Sequence, residues 1–140
     1  MPYLLDSDWV IDHLAGRADA VKLVGHLWSS GISISLLTYL EVYEGVIGGR
    51  DPRRAELVFA EFIGGIEVIA VSRAIARRTA AVRIDLRRRR LSVSHRAFDL
   101  IIAATAIEHD LVLVTRDTGD YDDITGLRIF GGSVEEPPGG

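Results

Sequence analysis

Four acidic residues lie where a hydrophobic run ends or where a predicted helix begins. Asp6 and Asp117 each follow a short apolar run, and Glu41 and Asp99 fall in the first turns of two predicted helices. If the ends of these elements converge, their carboxylates repel one another. Such a cluster is tolerated only with protonation or a bound cation. The pattern therefore favours a metal-dependent hydrolytic site.

Short buried strands alternate with amphipathic helices along the chain, and this order predicts an α/β fold. Right-handed crossovers then give a mainly parallel sheet of four to five strands. Ligands of such sheets bind beyond the C-terminal ends of the strands. Asp6 and Asp117 follow strands at that edge, whereas the order of elements alone does not position Asp99. The predicted strands cover residues 3–5, 32–35, 66–71, 111–114 and 127–130.

Helix-start signals offer plainer explanations for two of the acids. Ser7 or Asp8 is expected to cap the first helix. Thr38 is expected to cap a later one, with Glu41 three residues on, which is the spacing of a capping box. Alone, this spacing favours a capping role for Glu41.

Asp99 has a similar alternative near the helix predicted to begin at Ser94. A carboxylate in a first turn is stabilised by the helix dipole, and alone this role suits Asp99 better than catalysis. Asp117 also has a plain alternative as the start of a turn. Asp6 is harder to explain structurally, because an acid at the end of a buried strand is costly without a partner. The joint pattern of the four outweighs the separate alternatives.

Composition limits the classes of protein. The chain has 140 residues, 48% of them hydrophobic, which predicts one domain over residues 1–134 and a flexible tail over 135–140. The longest apolar runs fall short of the roughly 20 residues of a membrane span. The N-terminus does not read as a signal peptide. With no cysteine, thiolate metal sites and disulfides are excluded, and a cytoplasmic location is expected.

Basic residues are concentrated although the net charge is −4. Lys22 is the only lysine, and Arg87–Arg90 form a run. A solvated helix face is the plain interpretation. Contact with RNA phosphates is the sharper one, because guanidinium groups match phosphate oxygens.

Two phosphoaspartate classes also suit an acid after the first strand. In a haloacid-dehalogenase-type phosphatase Asp6 would be the nucleophile, and in a receiver domain it would accept a phosphoryl group. Both need a downstream lysine, and Lys22 lies too early in the chain.

Three motifs, taken in order and spacing, resemble the PIN-domain ribonucleases and, within them, the VapC toxins of VapBC toxin–antitoxin pairs. They are the N-terminal LLDSD, the central LTYLEVYEG and the later FDLIIAATAIEHDLVLVTRD. The resemblance implies a three-layer α/β/α fold and a Mg²⁺-dependent endoribonuclease, with Mn²⁺ as an alternative ion. It also implies a homodimer and a cognate VapB-type antitoxin that neutralises the toxin. The short apolar runs separately predict no membrane association.

The same resemblance assigns the site residues. Asp6, Glu41, Asp99 and Asp117 match the family's acidic metal-binding quartet. They would support attack of a metal-activated water on the phosphodiester of a transfer, ribosomal or messenger RNA. Four further residues are supporting candidates: Ser7 and Thr115 match hydroxyl positions, whereas Asp8 replaces a common Asn and Asp120 precedes Tyr121 where Asp-Phe is common. A catalytically inactive PIN-like binding module is a further alternative, against which the intact quartet argues.

Overall fold

Five parallel strands form one sheet in the order β3-β2-β1-β4-β5 in the computed structural model, which describes residues 2–132. β1 lies in the centre, paired with β2 on one side and β4 on the other. The predicted α/β class with a parallel sheet is therefore confirmed. The strands are β1 (Tyr3–Leu5), β2 (Ile32–Ser35), β3 (Glu67–Ile69), β4 (Val112–Val114) and β5 (Arg128–Phe130).

Six α-helices connect these strands within the described residues. None of them is long and apolar enough to cross a membrane. The helices are α1 (Ser7–Leu14), α2 (Ala18–Leu27), α3 (Leu36–Gly48), α4 (Pro52–Ile63), α5 (Arg73–Arg88) and α6 (Ala97–Glu108).

Alternating strand residues build two separate cores, one on each face of the sheet. Leu5 and Val114 pack with the helices α1 to α4 on one face. Leu4 and Leu113 pack with α5 and α6 on the other. Each is fully buried, and burying such a side chain contributes roughly 1.5–3 kcal/mol. Helix, sheet and helix thus form the three layers that the family resemblance implied.

Two helices begin at a helix-start signal that is visible in the sequence. Asp51 caps α4, with proline at the first helical position. The hydroxyl of Ser72 accepts a hydrogen bond from the backbone N–H of Ile75 and caps α5. At both places a short polar side chain precedes a helical run, which makes the local signal decisive.

The predicted cap of α3 was wrong. Ser35, not Thr38, caps α3, because its hydroxyl accepts a hydrogen bond from the N–H of Leu37 at 3.1 Å. Thr38 is fully buried in the helix. Glu41 is therefore not the third residue of a capping box, and the structure excludes this capping role for it.

The helix predicted to start at Ser94 begins at Ala97 instead. His95 adopts the left-handed conformation, with φ of 59°, which interrupts helical geometry. The first helix also differs from prediction: Asp6 caps α1, rather than Ser7 or Asp8. The predicted boundary at residue 134 and the tail at 135–140 lie outside the described residues.

Candidate active site

The four predicted carboxylates come from four elements at one edge of the sheet. Asp6 follows β1 directly, and Asp117 lies just beyond β4. Glu41 lies in the second turn of α3, which starts directly after β2, and Asp99 lies in the first turn of α6. Because the strands are parallel, their C-terminal ends meet at this edge. The topology therefore brings together side chains that are far apart in sequence.

Asp6 is the most deeply buried member of the group, with 7% of its surface exposed. The Thr115 hydroxyl donates to its Oδ2 at 2.8 Å, and the Ser7 N–H donates to its Oδ1 at 2.9 Å. Burial raises the pKa of Asp6, these two hydrogen bonds lower it, and the charges of Asp8 and Asp99 raise it again. The net direction is upward, so ionised Asp6 is held at a free-energy cost.

Glu41 faces the same pocket from α3. The Ser7 hydroxyl donates to its Oε2 at 3.4 Å, which links the start of α1 to α3. Burial raises the pKa of Glu41 most, and the charge of Asp6 and then that of Asp99 raise it further. Asp6 and Asp99 are thus close enough for their charges to raise the pKa of Glu41.

Asp117 approaches from the β4 side and lies against Asp8. Burial raises the pKa of Asp8, and the neighbouring Asp117 carboxylate raises it further. Thr115 connects this side to the centre: its hydroxyl donates to Asp6 and accepts a hydrogen bond from the Asp117 N–H at 3.1 Å. One hydroxyl therefore fixes the relative positions of two predicted site residues. Asp8, whose participation the sequence left open, faces the cluster.

Asp99 is held by a tyrosine for which the sequence suggested only a packing role. The Tyr121 hydroxyl donates to Asp99 Oδ1 at 3.1 Å. The tyrosine is 1% exposed, and its pKa is raised by burial and then by the charges of Asp6 and Asp99. Because the neutral phenol keeps its proton, it remains a hydrogen-bond donor. The presence of Tyr where the family often has Phe was the available sequence signal.

An arginine that sequence analysis did not single out fixes the loop beyond β4. Arg96 donates two hydrogen bonds to the Asp123 carboxylate, at 2.7 and 2.9 Å. It also donates to the backbone carbonyls of Ser92 and Asp120. The start of α6 is thereby tied to the loop that carries Tyr121. No local sequence signal reveals this pair, because its members lie 27 residues apart.

Asp120 lies at the Asp99 side of the cluster. Its side chain is exposed and lines a small cavity with Arg96, Asp99 and Asp123. Its carbonyl accepts the Arg96 hydrogen bond at 2.9 Å. The structure therefore gives Asp120 a backbone role in the loop beside the site.

Basic residues near the cluster are engaged elsewhere. The Arg116 guanidinium stacks 3.9 Å from the Trp9 ring centroid and forms salt bridges with Asp12 and Asp19. Lys22 is exposed on α2 and is not among the charged groups that shift the pKa of Asp6. The hydrogen bonds that Asp6, Glu41 and Asp99 accept within residues 2–132 come from neutral donors, namely Thr115, Ser7 and Tyr121.

The donor set fits a hard divalent cation in chemical type. Magnesium and manganese favour oxygen ligands, and every member of the cluster offers a carboxylate. In the described part of the chain, no three His, Cys, Asp or Glu side chains are arranged to hold one ion together. With the side chains as placed, a cation would therefore contact at most two of them directly.

Comparisons with known proteins identify the family. The PIN domain family matches residues 3–127. The chain is 27% identical over 128 residues to a protein of Shigella flexneri named tRNA(fMet)-specific endonuclease VapC, covering 91% of this chain and 96% of that protein. The crystal structure of DNA-bound VapBC from Salmonella typhimurium is similar too, with a TM-score of 0.80 and 27% identity over 93% of this chain and 97% of that chain.

A toxin–antitoxin complex from Klebsiella pneumoniae gives a TM-score of 0.71 and 28% identity, covering 94% of this chain and 98% of that chain. The chain therefore belongs to the PIN-domain family. The resemblance drawn from the three sequence motifs is confirmed, as is the implied fold. The roles of the individual carboxylates in metal binding and catalysis stay predictions.

Proposed function

We propose that this protein is a metal-dependent endoribonuclease and the toxin of a toxin–antitoxin pair. The observation that carries the proposal is the convergence of Asp6, Glu41 and Asp99 in one pocket. Burial raises the pKa values of Asp6 and Glu41, and the charge of Asp99 raises both further. A PIN domain is a nuclease fold, and the named relatives are endonucleases.

Asp6 and Asp99 are proposed as direct metal ligands, and Glu41 and Asp117 as ligands acting partly through water. This division agrees with the preference of Mg²⁺ for one or two protein carboxylates and several waters. Mg²⁺ is the proposed ion, with Mn²⁺ as a substitute. When bound, the ion supplies Lewis acidity that activates water and stabilises the leaving oxygen of a phosphodiester.

The remaining residues orient these carboxylates. Thr115 directs one oxygen of Asp6, Ser7 connects Asp6 with Glu41, and Tyr121 directs one oxygen of Asp99. These hydrogen bonds engage one oxygen each of Glu41 and Asp99. Both oxygens of Asp6 accept one hydrogen bond, and each keeps a second lone pair that a cation can use. Fixed donors and acceptors of this kind reduce the reorganisation that a bound substrate requires.

The relatives suggest the substrate and partner. Transfer RNA is the proposed substrate class, because the Shigella flexneri relative is named as specific for tRNA(fMet). A VapB-type antitoxin is the proposed protein partner, because the similar Salmonella typhimurium structure is a VapBC assembly. A homodimer acting in the cytoplasm completes the proposal.

The test is cleavage of an initiator-tRNA transcript with Mg²⁺ and with EDTA. Wild type should cleave only with the metal, and Asp99→Asn or Glu41→Gln should reduce kcat by about 10²-fold or more. Glu44→Gln is the matched control, because Glu44 is exposed on the same helix. Full activity of Asp99→Asn would overturn the assignment. RNA binding without cleavage by wild type would instead favour a binding module.

A further inference from the structure

The arginine run at the end of α5 divides into two kinds of side chain. Arg89 is engaged: its guanidinium donates to Asp85 Oδ2 at 2.7 Å and to the Asp123 carbonyl at 2.6 Å. Arg87, Arg88 and Arg90 are exposed. Across residues 2–132 their side chains form no hydrogen bond or salt bridge. We call these three the α5 arginine platform.

Arg90 occupies a backbone position that usually takes glycine. The N–H of Leu91 bonds to the Leu86 carbonyl and that of Arg90 to the Arg87 carbonyl, which is the Schellman pattern. Arg90 is therefore the left-handed residue after the helix, with φ of 59°.

Two other helices end with the same hydrogen-bond pattern. α1 uses Gly16 at the left-handed position and α6 uses Asp110, both of residue types that tolerate it. Arginine has no such conformational advantage. A strained residue whose side chain has no partner among residues 2–132 points to a role outside the fold's own stability.

Contacts of Arg89, which belongs to the same run, place the end of α5 beside the loop of the acidic pocket. Arg89 bonds to the carbonyl of Asp123, whose carboxylate is held by Arg96 at the start of α6. Two residues earlier, Tyr121 bonds to Asp99. The other end of α5 is remote, because Arg78 there pairs with Glu108 at the end of α6. Only the C-terminal end of α5 therefore borders the loop of the site.

An acidic pocket repels the phosphates of the RNA that it is proposed to cut. Exposed cations beside the pocket compensate by holding flanking phosphates, and guanidinium groups suit phosphate oxygens. We propose that Arg87, Arg88 and Arg90 bind the RNA backbone next to the cleavage site. This inference rests on the proposed function, and it adds which arginines engage the substrate.

A helix-dipole role would also place arginines at the end of α5. That role predicts that neutralising them lowers thermal stability without changing RNA affinity. Arg90→Gly separates the two ideas, because it removes one platform charge and also relieves the left-handed backbone. We expect weaker RNA binding with a melting temperature equal to or above that of wild type.

The experiment measures binding of a fluorescein-labelled initiator-tRNA transcript in EDTA, which prevents cleavage, over a range of NaCl concentrations. The variant Arg87→Gln/Arg88→Gln/Arg90→Gln should bind at least about tenfold more weakly, and its log–log salt slope should fall by about 2, or roughly 0.7 for each lost phosphate contact. The charge-matched control is Arg50→Gln/Arg53→Gln/Arg77→Gln, whose sites are exposed. The control should stay within about twofold of wild type.

Equal affinity and salt slope for the platform variant and the control would overturn the platform. If wild type itself bound no RNA in this assay while remaining folded, both the platform and the proposed RNA substrate would fail. If wild type bound RNA and the platform variant bound it with the same affinity, the proposed nuclease would stand without the platform. The two failures are thus distinguishable.

Discussion

Two carboxylates near the same edge of the sheet have opposite electrostatic environments. Asp123 receives two hydrogen bonds from Arg96, which lower its pKa. Asp6 is buried more completely. Among residues 2–132 its hydrogen-bond donors are the neutral Thr115 hydroxyl and Ser7 N–H, and burial raises its pKa. The Arg96 guanidinium balances the charge of Asp123, whereas the two groups that donate to Asp6 within the described part of the chain are neutral.

The contrast separates a structural acid from a candidate functional one. Arg96 joins the start of α6 to the loop beyond β4, so the Asp123 pair fixes the frame of the site. Balancing Asp6 in the same way would fill the pocket with a guanidinium and exclude an external cation. The unbalanced charge of Asp6 is therefore interpreted as a property required for metal binding, kept at a cost in stability.

The largest expected effect follows from neutralising the unbalanced acid. Asp6→Asn should reduce metal-dependent cleavage by at least about 10²-fold. It should also stabilise the metal-free protein at neutral pH by on the order of 1 kcal/mol, because asparagine remains a good N-cap and removes a buried charge. Cleavage kinetics and urea unfolding in EDTA measure the two effects. If Asp6→Asn lost both stability and activity, this would contradict the idea that the Asp6 charge is kept for function at a cost in stability.

Removing the balancing cation should make Asp123 resemble Asp6. Arg96→Leu leaves that carboxylate without its partner and should lower the free energy of unfolding by about 1–3 kcal/mol. Cleavage should fall with it, since the loop carrying Tyr121 loses its anchor. The double variant Arg96→Leu/Asp123→Leu should recover part of the stability but not the activity. Chemical denaturation of both variants tests this, and equal destabilisation would argue against a charge effect.

The two acids should give opposite pH dependences of stability in EDTA. The raised pKa of Asp6 contributes stability below the ordinary value near 3.8, which is lost as pH rises through the raised value. The lowered pKa of Asp123 contributes stability above 3.8, which is lost as pH falls through the lowered value. For each position, the quantity to plot against pH is the unfolding free energy of wild type minus that of the Asn variant. The plots for Asp6→Asn and Asp123→Asn should therefore slope in opposite directions. Parallel slopes would remove the distinction.

The smallest expected effect concerns the hydroxyl that orients Asp99. Tyr121→Phe keeps the buried ring and removes one hydrogen bond, which is worth about 1 kcal/mol. We expect cleavage to fall by roughly threefold to tenfold with little change in the melting temperature. A steady-state comparison with Tyr43→Phe, on the opposite face of the sheet, provides the control. An unchanged rate would show that packing alone explains Tyr121.

Sequence reasoning reached the sheet and the positions of the four acids because both depend on local signals. Apolar runs set the strands, and Asp6 and Asp117 were assigned to their ends by the parallel topology. The start of α3 was misjudged, because Ser35 and Thr38 are both good caps and only packing selects between them.

The supporting contacts were beyond local reasoning. Arg96 and Asp123, and likewise Tyr121 and Asp99, meet only when the loop beyond β4 folds against α6. The family resemblance predicted Asp99 where the topology alone did not position it. The structure supplies the physical reason, since the start of α6 lies beside the ends of β1 and β4.

Direct titration of metal by the protein tests the role of the unbalanced pocket without RNA or catalysis. Mn²⁺ binding followed by electron paramagnetic resonance should show one or two ions on wild type and on Glu44→Gln. Asp6→Asn and Asp99→Asn, if folded by circular dichroism, should bind Mn²⁺ at least about tenfold more weakly. Binding of equal affinity and stoichiometry in wild type and both pocket variants would contradict a cation site at these carboxylates.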